Sequence, residues 1–343
     1  MVTRKEVADL AGVSEATVSR VLNRVGPIRE ETKERVLSAA KELNYIPNAI
    51  ARSFARRRSG NLGVVLPYVP KVHLFSTYYF SEILSGIGEA VREHGYDLLL
   101  LFRTPGAPAD YTTWYQSQKV DACVILGASD LPEERKALQR LAAHRLPFCL
   151  VNQRFPDEEF NEVDADHASG SYEAVKHLIA GGCRRVAFLN GSPEYSNSRD
   201  RLTGYRQAVT EAGLDPDALL QLGGNYSRRS GEQAAQAVYR ERERVDGVFA
   251  ANDRMAVGLM QGLRALGLET GTDVAIAGCD DSDAARMTEP PLTSVHVPFY
   301  EMGRLAADRL LQVLDQGEPG AVFREQLATR LVIRESSILR SRE

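Results

Sequence analysis

The chain has 343 residues, 43% hydrophobic and 26% charged, enough for two or three globular units at roughly 100 to 200 residues each. Its longest apolar runs, 98–102 and 122–128, fall far short of the ~18 residues a spanning helix requires, and residues 1–10 lack the apolar segment of a secretion signal, so neither a membrane span nor secretion by that route is expected. The net charge of −4 averages two unlike parts: residues 1–60 hold twelve Lys and Arg against seven Asp and Glu, the remainder 30 against 39, which predicts a basic head that attracts phosphates on an acidic body that repels them.

Cys123, Cys149, Cys183 and Cys279 are widely spaced and form no CxxC pair, as expected of reduced core residues in a cytoplasmic protein. The six histidines show no HxxxH spacing, so no metal site and no cofactor is expected. In chain order, Thr3 and Glu6 form a capping box that starts a helix, Val7, Ala8 and Ala11 recur at helical spacing, Gly12 supplies a turn, and Ser14 caps a second helix running to Asn23. A third helix, about 31–43, closes a core with Val36, Leu37, Ala40 and Leu43. The second helix turns Glu15, Ala16, Ser19 and Arg20 outward. This is the layout of a helix-turn-helix whose second helix enters the major groove, although an ordinary three-helix bundle has the same periodicity. Pro47 stops regular structure, Asn48 can cap a short helix over 49–56, and 56–61 is a polar linker. Ala51 and Ala55 allow a twin helix to approach, leaving Phe54 as an exposed wedge.

From residue 62 short apolar strands alternate with amphipathic helices. The first series has strands at 62–66, 98–102, 122–126 and 148–151 with helices at 80–93 and 133–144; the second has strands at 185–190, 247–251 and 274–277 with helices at 172–180, 199–212, 231–239 and 254–266. A late helix at 300–314 and a closing strand at 327–333 follow. Such alternation implies two lobes of parallel, doubly wound sheet. Ligands of such sheets lie beyond the carboxyl ends of the strands, which singles out Asn152, Asn252, Asp253 and Asp280. The same residue types cap helices, and Asp253 is read chiefly as a cap.

The run 2–23, Val-Thr-Arg-Lys-Glu-Val-Ala-Asp-Leu-Ala-Gly-Val-Ser-Glu-Ala-Thr-Val-Ser-Arg-Val-Leu-Asn, followed by Leu-Asn-Tyr-Ile-Pro-Asn at 43–48, resembles the DNA-binding head of the lactose-repressor and galactose-repressor family. Further echoes at 251–256, 278–281, 290–294 and 333–337 extend the resemblance over nearly the whole chain. It implies an all-α helix-turn-helix head over 1–47, a hinge helix and linker over 48–61, and a two-lobed, periplasmic-binding-protein-like α/β core over 62–343. The implied lobes are about 62–160 plus 293–322 and about 161–292 plus 323–343.

By the same resemblance Glu15, Ala16 and Arg20 fall where the family reads bases, with Thr3, Ser14, Thr17, Ser19, Asn23, Asn48 and Ala51 also on the DNA side and Phe54 in place of the leucine usually wedged into the minor groove. Arg20 can pair with guanine; Glu15 can accept from cytosine or simply favour its helix dipole. Arg29 stands where the family has a serine or threonine cap. Asn152, Arg201, Asn252 and Asp280 fall at effector positions, with Tyr79, Phe80 and Tyr226 as aromatic walls, a set suited to a carbohydrate. Leu126 and Val297 are apolar where some sugar-responsive relatives are polar, and the 70–77 loop is longer than usual, which keeps a nucleoside or purine open.

Catalysis has no support in the sequence. Gly86-Ile-Gly88 has Val91 where a dinucleotide fingerprint needs glycine, no Walker A or GxSxG occurs, and the acids at 280, 281 and 283 have no metal-ligand spacing with a histidine or cysteine that would make them a metal site. The reading is a homodimeric regulator, a repressor, on a pseudo-palindromic operator, with an inducer or a corepressor in the cleft; the absence of a heptad tail argues for a dimer over a tetramer. A sugar-binding protein without a DNA role is the remote alternative.

Overall fold

The computed structural model describes residues 2–22, 26–45, 58–69, 74, 77–107, 109–316 and 321–340. Asn23 and the expected hinge helix, with Asn48, Ala51 and Phe54, lie outside the described residues, as does most of the 70–77 loop.

The head is three helices, α1 (Arg4–Ala11), α2 (Glu15–Leu22) and α3 (Glu30–Glu42). The capping box forms as the sequence predicts: the Thr3 hydroxyl accepts from the Glu6 amide, and the Glu6 carboxylate accepts from the Thr3 amide at 2.6 Å. Gly12 takes φ 63°, a left-handed turn that closes α1. Val7, Ala8, Ala11, Val18, Val21, Val36, Ala39 and Ala40 form a small separate core. Leu37, expected inside, is 46% exposed, because Ala39 and Ala40 take the inner face of α3. Arg29 leaves α3 without a side-chain cap.

Two six-stranded sheets follow. The first runs β11 (Arg324–Leu327), β5 (Asn161–Ala165), β4 (Phe148–Val151), β3 (Ala122–Leu126), β1 (Asn61–Pro67), β2 (Asp97–Arg103), all parallel. The second runs β12 (Arg330–Val332), β10 (Thr293–His296), β9 (Ala275–Asp280), β8 (Gly247–Ala250), β6 (Val186–Asn190), β7 (Gln221–Gly223), parallel except for β12 against β10. Helices α4 (Tyr78–His94), α5 (Thr112–Gln116), α6 (Pro132–Ala143) and α12 (Phe299–Gln316) belong to the first lobe, and α7 (His167–Ala180), α8 (Ser196–Glu211), α9 (Arg228–Arg240), α10 (Asp253–Ala265) and α11 (Asp283–Met287) to the second. Gly86, in the Gly-Ile-Gly run, is where α4 meets α12: a Cβ there would sit 2.0 Å from the Tyr300 carbonyl oxygen.

The lobe boundaries differ from the expected ones. The strand at 161–165 belongs to the first sheet, the strand at 293–296 to the second, and the expected closing strand at 327–333 is two strands, β11 in the first sheet and β12 in the second. The chain therefore crosses between lobes after β5, after β10 and after β11. β5 is Asn-Glu-Val-Asp-Ala, whose acids hide it from a search for apolar runs. Those acids are buried because Glu162 accepts from the Phe155 amide and Asp164 pairs with Arg154 at 2.8 Å.

Candidate functional site

On the head, Ser14 accepts from the Thr17 amide at 3.1 Å and so caps α2, whose buried side is Val18 and Val21. Thr3, Ser14, Glu15, Ala16 and Arg20 are exposed and Thr17 and Ser19 half-buried, so the expected reading residues lie at the start of α1 (Thr3) and along α2 from its cap at Ser14. Glu15 meets Arg4 at 3.3 Å across the turn, an exposed pair of little energetic weight that leaves the carboxylate able to exchange partners.

Between the lobes lies a cleft of about 250 Å³, and all seven residues expected there line it: Tyr79, Phe80, Asn152, Arg201, Tyr226, Asn252 and Asp280. Its two walls differ in kind. The first lobe supplies rings from the starts of α4 and α12: Tyr79 packs edge-on against Phe80 at 4.7 Å and against Phe299 at 5.2 Å between ring centres. Asn152, just past β4, takes φ 61°. The Tyr79 hydroxyl meets the Asn152 side chain and the Gly127 backbone, and burial pushes it well above the ordinary phenol range.

The second lobe supplies charge and amide beside two further rings, Tyr195 and Tyr226, edge-on at 5.9 Å. Arg201, buried on α8, donates to Asn197 Oδ1 at 3.2 Å and to His167 Nδ1 at 3.2 Å, while its Nε, also buried, has no protein partner. Asn197 also accepts from the Tyr226 hydroxyl at 3.0 Å and donates to the Asn152 carbonyl at 3.0 Å, which ties the lobes together. Asn252 has two roles at once: its Oδ1 caps α10 through the Met255 amide at 2.9 Å and its Nδ2 donates to the Tyr226 carbonyl at 3.2 Å.

Asp253 is not the cap it was expected to be, since Asn252 holds that position. Its fully buried carboxylate accepts from the Ser282 amide and hydroxyl, both at 2.8 Å, and from the Ser294 hydroxyl at 2.5 Å. Burial pushes it up to about 6 despite those donors. Asp280, at φ 130° at the end of β9, is pushed well above the carboxylate range by burial and by Asp253 beside it, with Arg201 opposing. Of the two buried carboxyls, Asp280 faces the Arg201 and Arg254 guanidiniums, while Asp253 is held by the serines behind it.

Sequence reasoning missed several lining residues: Asn197, Tyr195, Arg254 and Phe299. Asn197 had a signal, one helical turn before Arg201 on the same face. Arg254 reaches the Thr77 hydroxyl at 3.4 Å across the mouth. Arg199, a weaker candidate, instead bonds the Pro193 carbonyl, and Arg184 and Arg185 hold Asp246, as surface residues do. Leu126 and Val297 are buried core residues. Among the described residues no cluster of His, Cys, Asp and Glu is arranged to hold a metal ion, and no helix is long and apolar enough to cross a membrane.

This architecture matches known proteins along its whole length. Residues 3–48 match the model for bacterial regulatory proteins of the lacI family, and residues 175–337 a periplasmic binding protein-like domain. The HTH-type transcriptional regulator CelR of Thermobifida fusca is 35% identical over 337 residues, 97% of this chain and 98% of that protein. Among solved structures, a transcriptional regulator CelR-cellobiose complex is 34% identical with a TM-score of 0.74, covering 98% of this chain and 100% of that one. The lac repressor dimer bound to operator and the anti-inducer ONPF is 29% identical with a TM-score of 0.84, covering 99% of both chains. These relatives are regulators and not enzymes. The chain belongs to the lacI family of bacterial regulatory proteins, as a helix-turn-helix transcriptional regulator with a two-lobed effector core.

Proposed function

We propose that this regulator is a cytoplasmic repressor that binds a pseudo-palindromic operator as a homodimer, with a carbohydrate in the inter-lobe cleft controlling its affinity. The observation that carries the effector class is the pairing of unlike walls around one cavity. Rings cover the apolar face of a sugar, while Arg201, Asn197, Asn252 and Asp280 offer paired donors and acceptors to vicinal hydroxyls. The cellobiose held by the CelR complex supports the same class for a related core.

On DNA, the residues proposed to face the duplex are Thr3, Ser14, Glu15, Ala16, Thr17, Ser19, Arg20, Asn23, Asn48, Ala51 and Phe54, with Arg20 bidentate to a guanine. Two heads on a two-fold axis require two half-sites. Lobe closure around the effector changes the spacing of the two heads, and a coupling of only ~1 to 3 kcal/mol alters occupancy 5- to 150-fold.

A thermal-shift screen of cellobiose, other sugars, sugar phosphates and nucleosides identifies the class, because a ligand bound only by the folded chain raises Tm. A response to nucleosides or purines alone would replace the carbohydrate reading. A gel-shift titration with the hit gives the sign: released operator marks an inducer, tightened operator a corepressor. Arg20→Ala should cost about 1 to 3 kcal/mol of operator affinity and relax preference at one base while leaving effector affinity unchanged.

A further inference from the structure

His167 opens α7, where the chain crosses from β5 into the second lobe, and it is 2% exposed. Three elements converge on its ring. Arg201 from α8 reaches Nδ1 at 3.2 Å; Asn152, past β4, places Oδ1 2.7 Å from Nε2; Asp164 of β5 places Oδ1 3.4 Å from the same nitrogen. A guanidinium can only donate, so Nδ1 must accept, and the single proton of a neutral ring must then sit on Nε2. That proton goes to Asn152 Oδ1, the nearer acceptor. The Asn152 amide is thereby oriented, its NH2 turned toward the Tyr79 hydroxyl, whose own proton is left for the cleft.

The geometry points to His167 as a positioning residue that sets the hydrogen-bond polarity of the cleft, in one sense from Arg201 through His167 and Asn152 to Tyr79, a role that rests on the reading of this cleft as the effector site. The relay joins the charged wall to the aromatic wall. It leaves the first-lobe side presenting donors, so the bound molecule must offer an acceptor there. Burial and the adjacent Arg201 hold the imidazole below its ordinary value, Asp164 and the more distant Asp200 opposing. Asp164 is itself engaged by Arg154 at 2.8 Å, and Arg154 also holds Asp200 at 2.5 Å, so neither acid calls for a charged ring. Protonating His167 would set a second cation against Arg201 and break the relay at its first link, two donors facing each other at Nδ1 while Nε2–H still donates to Asn152.

Long-range 15N–1H correlation on the ligand-free full chain reads the tautomer without reference to any ligand. A neutral Nε2–H ring from about pH 8 to about pH 6 is expected. An Nδ1–H ring, or an imidazolium at neutral pH, overturns the assignment whatever the cleft binds. Arg201→Met should free Nδ1 and change both the tautomer balance and the titration; an unchanged ring would equally overturn it. Calorimetric titration with cellobiose then reads the consequence. His167→Leu is expected to weaken binding about tenfold or more, and His167→Gln, whose amide can accept from Arg201 and donate to Asn152, to recover most of that loss. Wild-type affinity in His167→Leu would refute the positioning role. Failure of cellobiose to bind the wild type would count against the carbohydrate reading alone, and the tautomer would still decide the relay.

Discussion

The two walls of the cleft solve one problem by different physics. The first-lobe wall is made of rings, Tyr79, Phe80 and Phe299, held by edge-on contacts whose directional demands are weak. The second-lobe wall adds to the rings of Tyr195 and Tyr226 a polar set, Arg201, Asn197, Asn252 and Asp280: Arg201 donates to Asn197 and His167, Asn252 accepts from the Met255 amide, and Asp253 behind Asp280 is held by Ser282 and Ser294. A ring still covers a ligand after a small displacement; a buried guanidinium or carboxyl that loses its partner stays desolvated and uncompensated. Substitutions should therefore be graded on the first wall and all-or-none on the second.

Arg201→Ala is the harshest test of that contrast. It removes the buried guanidinium that faces both Asp280 and the cavity, and should cost about 3 kcal/mol of effector affinity, more than a hundredfold in Kd by calorimetry. Operator binding without effector should be unaltered in a gel shift. A variant that kept its effector response would erase the distinction between the walls. On the ring side, Phe80→Leu keeps an apolar surface and loses only the aromatic face, so about 1 kcal/mol is expected. A loss as large as that of Arg201→Ala would show that the rings, too, are held in one geometry.

The same contrast decides what could be read in the sequence. The strand-end polar groups were legible because each belongs to a short, regular signal, an apolar strand that stops at Asn152, Asn252 or Asp280. The family resemblance added Arg201 and the rings Tyr79, Phe80 and Tyr226. What was hidden is whatever depends on tertiary pairing. β5 is a strand only because Arg154 and the Phe155 amide satisfy its acids, and Asp253 looks like a helix cap until Ser282 and Ser294, distant in sequence, are seen bonded to it. His167 carried no local signal, since its meaning lies in Arg201 on one side and Asn152 on the other. The lobe boundaries were misplaced for a related reason: three crossings fall beside short strands whose sheet is chosen by their neighbours, as β11 and β12 show.

The smallest expected effect separates the walls by pH. Asp253 moves from 3.8 to about 6 on folding, so between those values the folded chain keeps a proton the unfolded chain has lost. The stability this contributes is fully present below pH 3.8 and is lost as pH rises through about 6. Asparagine cannot titrate, so the Tm difference between wild type and Asp253→Asn should shift against the wild type as pH is raised from about 4 to about 7. Removing Asp253 also takes a like charge from Asp280 and lets its raised value fall, a second contribution of the same sign. His167, whose lowered value acts in the opposite direction, is present in both proteins and largely cancels in the difference. Phe80→Leu introduces and removes no proton, so its Tm difference should be flat over the same range. A flat line for Asp253→Asn as well would mean that the carboxyl is ionised throughout, its serine and amide donors outweighing its burial.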